Sequence, residues 1–234
     1  MSVNIDTVYQ KVLVLANKEQ RGYITPIEFN LLANKAQLDI FNNYFHEAKM
    51  AHVKQTKNQL GSGIDELDMI EEKMHPFKTS VEVEVDITNS TLTLPSNLHA
   101  IDIITDPNGY ELTELSKKDI SYTQNSTLLK ASFRRPTYYR QSSGVLRILP
   151  TTANAASYPI HYYKKPSDPR WAYILINEKP LWDSTNSVDF ELHLSEEEKL
   201  VTRILELSGL TIRDEDVAQA AMIDKQNTKQ NQNS

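Results

Sequence analysis

The stretch NKEQRGYITPIEF, Asn17 to Phe29, carries the oxygen-rich lettering of a calcium-binding loop, and ligand position decides what it can do. With Gly22 as the turn glycine and Glu28 as the closing bidentate carboxylate, the first, third and fifth ligand positions fall on Asn17, Glu19 and Arg21. A guanidinium at the fifth position sets a fixed positive charge where an oxygen must touch the cation, and the chain has no second loop to pair with this one. The spacing predicts no calcium site.

The other chemistry-bearing residues are scattered. The six histidines are His46, His52, His75, His99, His161 and His193, no two at the three- or four-residue spacing of zinc-binding helices. There is no HExxH, no G-x-S-x-G elbow and no phosphate-binding loop, and the glycines at 61 and 63 follow no apolar strand. Zero cysteines exclude disulfides, thiolate nucleophiles and cysteine-based zinc sites together. Glu82, Glu84 and Asp86 form a row, but side chains on one strand face recur about every 6.6 to 7 Å, so they read as a solvated face. No carboxylate pair stands out for glycoside chemistry. The expectation is a protein that is not an enzyme, with no metal and no cofactor.

One combination does stand out. SFRRPTYYRQ and HYYKKPSDPRW interleave Arg134, Arg135, Arg140, Lys164, Lys165 and Arg170 with Tyr138, Tyr139, Tyr162, Tyr163 and Trp171. Cations among rings on strands suit a single-strand nucleic-acid groove, where the rings stack on bases. They equally suit a protein interface, in which Tyr, Trp and Arg are enriched. The net charge of -6 hides the contrast behind this signal. Residues 130 to 171 hold eight cations against one carboxylate, whereas residues 61 to 129 carry a net charge of -9 and residues 172 to 234 one of -6. One basic block lies in an acidic chain, as a docking surface for something negative would.

The elements that must position these residues begin with the same GYITPIEF. Thr25 reads as an N-cap, Pro26 as the first helical residue, and Glu28 as the residue that reaches back to the Thr25 N–H. Ile24 and Phe29 then form the hydrophobic staple. Gly22, Ile24, Thr25, Pro26, Glu28 and Phe29 together make a structural elbow between a first helix, about Asp6 to Ala16, and a long second one. That second helix runs from Pro26 past Ala51, with Phe29, Leu32, Ala33, Ala36, Ile40, Tyr44 and Ala48 on one apolar line and Leu38, Phe41 and Phe45 on another. Two lines ask for two packing partners, both within this chain or one of them on another subunit. IDELDMIEEKM reads as a short acidic helix after a hinge at Gly61 to Gly63, and Pro76 stops it.

From Ser80 the period changes to two. SVEVEVDI alternates, TLTLP and LHAIDIIT continue as strands, and DPNG at Asp106 to Gly109 marks a tight turn. After a polar stretch around KKDISYTQNS, the segments RPTYYRQ, GVLRILP, YPIHYYKKP, WAYILI and VDFELHL read as further strands. Ser195 with Glu198 reads as a capping box that opens a terminal helix, a last helix starts at Asp214 or Glu215, and the polar tail is expected to be disordered. The fold expected is α+β: a helical region 1–78, a β-rich antiparallel region 79–194, carboxy-terminal helices 195–225 packing with the helical region, and a flexible tail 226–234. At 234 residues the chain can bury one core or two. No apolar run nears the roughly 20 residues of a membrane span, and the amino terminus lacks a signal-peptide layout, so no membrane partner is expected.

The order of ANKEQRGYITPIEFNLLANKAQLDIFNNYF, LPSNLHAIDIITDPNGYEL, RPTYYRQSSGVLRILP, SYPIHYYKKP and SEEEKLVTRILELSGL resembles virion neck and tail ring proteins of podovirus-type tailed bacteriophages, the helical segment most of all those of crAss-like phages. The likeness runs from about Tyr9 to Asp216. It implies a head-to-tail connector: a homo-oligomeric closed ring, usually twelvefold, stacked near the portal around the DNA channel. Its implied partners are like copies, the portal or other neck and tail proteins, and DNA passing through without sequence-specific binding. It implies a place in the virion after synthesis in the host bacterial cytoplasm, and brings no catalytic residues with it.

Overall fold

The computed structural model describes residues 2–18, 24–56, 62–151, 156–177 and 179–209. Its helices are α1 (Ile5–Lys18), α2 (Pro26–Thr56), α3 (Ser62–Met74), α4 (Lys117–Gln124) and α5 (Glu197–Leu207). Its strands are β1 (Ser2–Val3), β2 (Lys78–Glu84), β3 (Thr91–Thr93), β4 (Leu98–Ile104), β5 (Thr113–Glu114), β6 (Thr137–Ser142), β7 (Val145–Leu149), β8 (Ser157–Lys164), β9 (Tyr173–Ile176), β10 (Lys179–Trp182) and β11 (Phe190–His193). The chain is α+β. It divides into two units, one of Met1–Pro76 with Pro166–Ser234 and one of Phe77–Lys165. The expected β-rich stretch 79–194 is therefore split, with its described residues from Pro166 onward belonging to the helical unit.

In the helical unit the elbow forms as its lettering requires. The Thr25 N–H donates to Glu28 Oε2 at 3.0 Å, and the Glu28 N–H donates to Thr25 Oγ1 at 3.3 Å. Ile24 and Phe29 are both buried. Gly22 lies outside the described residues, as do Glu19 and Arg21 of the calcium-loop reading. Of the hinge glycines, Gly63 belongs to α3, and Gly61 lies outside the described residues. Helix α2 packs against α3 and α5, while α1 packs against α5. Phe29, Ala33, Ile40 and Tyr44 of its first line are buried, and so is Phe41 of the second. Phe41 and Phe45 meet edge to face at 5.1 Å, a contact within one helix. Glu196 is buried beside Lys73 of α3 at 2.7 Å and Lys199 of α5 at 3.5 Å, so its charge is compensated from both helices.

The Ser195–Glu198 capping box does not form. A 3₁₀ turn, Leu194–Glu196, precedes α5, and the Ser195 N–H is turned to His193 Nδ1 at 3.3 Å. Glu198 instead takes Lys11 of α1 at 2.5 Å, and Glu197 holds the same ammonium at 2.8 Å. These two carboxylates raise the Lys11 pKa. The last expected helix and the tail 226–234 lie outside the described residues.

The other unit is built of two sheets, ordered β2-β8-β4 and β3-β7-β6-β5. All pairs are antiparallel except β5 with β6. Period two decides the faces: Tyr158, Ile160 and Tyr162 of β8 turn inward and join Leu146 and Ile148 of β7 in one core. At the DPNG turn, Asp106 accepts from the Asn108 and Tyr110 N–H groups at 2.9 and 2.7 Å, and Gly109 takes the positive φ of 86° that closes it. Where the sequence reads only as a polar stretch, Ser116 caps α4 by accepting from the Asp119 N–H at 3.1 Å.

Candidate assembly surface

The residues of the basic, aromatic signal are divided between the units and between core and surface. Tyr138 and Tyr162 are buried in the core of the β unit, and their hydroxyls donate to Glu114 and Asn97 at 3.0 and 3.1 Å. Trp171 is buried in the helical unit, where its ring packs on Tyr9 at 4.3 Å and its indole N–H donates to Asp6 at 2.9 Å. These three rings are not outward anchors; each is core, because strand alternation or a helix partner turns it inward. The same correction applies to Phe41, which is fully buried.

Arg134, Arg135, Arg140, Lys165 and Arg170 are exposed, while Tyr139, Tyr163, Lys164, Leu38 and Phe45 are half-buried. Arg140 is committed to Glu114 at 3.0 Å. The Lys78 ammonium lies 5.4 Å from the Tyr163 ring centre. Arg170 pairs its backbone with Val188 beside Trp171.

A shallow cleft of about 420 Å³ on the outer face of the β2-β8-β4 sheet is lined by Lys78, Ser80, Asp102 and His161 among others. Ser80 and His161 are cross-strand partners, so serine, histidine and aspartate share one face. They are not wired as a relay. Asp102 faces Lys78 at 3.6 Å, and among the described residues no hydrogen bond joins Ser80 to His161. Nor is any group of three or more His, Asp or Glu among the described residues placed to hold a metal ion. Of the acidic row, Asp86 folds into its own turn, held by Asn89 and the Thr88 N–H, which keep its pKa low.

The feature that the sequence reading missed is the β9–β10 hairpin of the helical unit. KPLW pairs with YILI in the register Leu181 to Ile174 and Trp182 to Tyr173. Its base is firmly built. From α2, Asn30 Oδ1 accepts the Trp171 N–H at 2.8 Å, and Asn30 Nδ2 donates to the Trp171 carbonyl at 3.2 Å. Two turns along, the buried Gln37 donates to the Ser167 carbonyl at 2.8 Å and accepts from the Glu191 N–H at 3.0 Å. Ser187 Oγ then accepts from both the Ala172 N–H and the Trp182 indole, each at 3.0 Å. Above this base the apolar side chains face water: Ile174 is 54% exposed, Leu175 65%, Ile176 52% and Leu181 57%. Opposed residues of a pair share a face, so Ile174, Ile176 and Leu181 lie on one side of the ribbon and Leu175 with Trp182 on the other.

A second apolar surface runs along α2. Ile27 and the 70% exposed Leu31 begin a stripe that continues at helical spacing through the half-buried Leu38 and Phe45. Leu38 and Phe45 thus keep a place at the surface that Phe41 does not. Among the described residues, no helix is long and apolar enough to cross a membrane. No protein-family model and no curated protein matches this chain.

Proposed function

We propose that this chain is a structural subunit of a closed ring in the neck or tail of a tailed bacteriophage, and that it meets like copies through the β9–β10 hairpin. The hairpin is the observation that carries the reading. A two-stranded ribbon alone is marginal in water, and this one is apolar on both faces yet held rigid at its base. Exposed apolar surface of this kind marks an interaction site. The same unit offers a different apolar surface, the Ile27 to Phe45 stripe of α2. A patch that meets a different patch on the next copy gives a head-to-tail contact, which closes into a ring when the rotation permits. The phage setting, the portal as neighbour and the DNA channel come from the resemblance of the elbow and strand order.

The alternative, a nucleic-acid-binding module, loses support from the burial of Tyr138, Tyr162 and Trp171, since rings in a core cannot stack on bases. Solution mass of the full chain, followed by imaging of any assembly on its own and with the portal, tests the ring. Closed assemblies of about ten or more copies are expected, in line with a heterologous ring. A folded chain that forms no ring under either condition and binds single-stranded DNA with steep salt dependence would favour the alternative.

A further inference from the structure

The segment from Lys117 to Arg135 is an arm of the β unit that contributes nothing to a core. Helix α4 buries no residue. Beyond it Leu128 is 86% exposed, and Leu129, Phe133 and Tyr122 also face water. The arm is nonetheless ordered by its own hydrogen bonds. The Lys130 N–H donates to the Ser126 carbonyl at 3.0 Å, the Arg135 guanidinium donates to the Leu128 carbonyl, and Ser132 and Arg135 pair their backbones. A backbone already ordered loses little conformational freedom when its apolar side chains are covered, which favours binding. The arm is also strongly basic, with five cations against one carboxylate between 117 and 135.

We infer that this arm docks on the acidic face of α3 in a second copy of the chain. Charge selects that occupant. Helix α3 carries five carboxylates against one lysine, and the exposed Asp68, Glu71 and Glu72, spaced i, i+3 and i+4, make one acidic face with the exposed Met69 at its edge. An apolar spot bordering an acidic face matches an apolar segment rich in cations, the complementarity that sets partner and register. Leu128, the arm's most exposed apolar side chain, and Leu129 are aliphatic and suit a protein partner, whereas the exposed Phe133 and Tyr122 suit a protein or a base, so DNA binding is measured alongside. The contact rests on the self-assembly reading, but uses surfaces other than the hairpin and α2.

The chain has no cysteine, so introduced ones report only on themselves. Full-length Leu129→Cys and Met69→Cys chains are mixed under mild oxidation and the products sized. A cross-linked pair that forms in the mixture and not from either variant alone is expected. It should fall to background when Lys130→Glu and Arg134→Glu, which leave the Arg135 contact in place, are added to the first chain, and return when Glu71→Lys and Glu72→Lys are added to the second. Rings that assemble without the cross-link overturn the arm contact and leave the ring reading standing. Monomers without the cross-link overturn the arm contact as well, and ring formation is then judged on the portal alone. If the Lys130 and Arg134 reversals abolish single-stranded DNA binding and leave the cross-link unchanged, the arm is a nucleic-acid site and this docking is wrong.

Discussion

Strand β8 and the hairpin β9–β10 are spelled with the same kinds of residue, yet they meet water in opposite ways. In β8 the inward Tyr158, Ile160 and Tyr162 are buried, while Pro159, His161 and Tyr163 between them are not. Alternation of that kind encodes one covered face. YILI in β9 does not alternate, and an uninterrupted apolar strand asks for cover on both faces. The hairpin leaves both largely open, with Ile174, Leu175 and Ile176 all more than half exposed and only its base, at Tyr173 against Trp171, partly covered. The difference teaches that the lettering of a strand counts the faces it needs covered, and that the hairpin's cover is not supplied by the described residues.

The sharpest way to break this comparison is at Trp171, which sits two residues before the hairpin and is buried where the hairpin is not. Trp171→Ala removes a core ring from Tyr9 and leaves Asp6 without its donor, so unfolding stability should drop by about 3–5 kcal/mol. Denaturant melts of the full chain read this directly. A loss below about 1 kcal/mol, the scale of an ordinary surface change, would mean that Trp171 is no more core than Leu175.

A smaller effect separates packing from hydrogen bonding inside the β unit. Tyr138→Phe keeps the ring and deletes the bond to Glu114, at a cost of about 1.5 kcal/mol for a bond to a charged acceptor. Burial, and then the Glu114 carboxylate, push the Tyr138 pKa above its ordinary 10.0. The sign follows: a folded pKa raised above the unfolded value gives stability that is fully present below pH 10 and is lost as pH rises beyond it. The alkaline limb of the stability curve should therefore flatten in Tyr138→Phe. An unchanged limb would place the phenol in solvent.

Local grammar was legible in the sequence, and cover was not. Thr25, Pro26 and Glu28 specify their elbow among themselves, and the alternation of SVEVEVDI specifies its faces, because each signal depends on near neighbours. The place of Tyr138, Tyr162 and Trp171 depends on partners far along the chain, Glu114, Asn97 and Asp6, and a window of ten residues holds none of them. KPLW is illegible for the opposite reason: four residues with a proline make a strand only when YILI is beside them. Helix α4 left no periodicity to read, since no residue of it is buried.

At the elbow, Thr25→Ala should cost about 1 kcal/mol and Pro26→Ala little. The Thr25 backbone N–H and then its hydroxyl lower the Glu28 pKa from 4.5. A depressed folded value gives stability present above 4.5 and lost as pH falls through the lower folded pKa. Thr25→Ala keeps the backbone donor and removes the hydroxyl, so its acid limb should weaken without vanishing. A full acid limb in that variant would show that the backbone N–H alone sets the cap.

The smallest effect on stability belongs to the hairpin, and it is the most telling. Ile174→Ser with Leu181→Ser changes two opposed side chains that are both more than half exposed, so the isolated chain should unfold within about 0.5 kcal/mol of wild type. The base contacts from Asn30, Gln37 and Ser187 are untouched, and the ribbon keeps its anchorage. On the proposed ring assembly, copies carrying this change should nevertheless fail to associate, because the altered face is the one proposed to meet the next copy. A stability loss of several kcal/mol would mean that the residues are core after all and that the contrast with β8 is false. Unchanged stability with unchanged assembly would move the contact between copies off the hairpin and onto the α2 stripe, where Leu31→Ser is the next variant to measure.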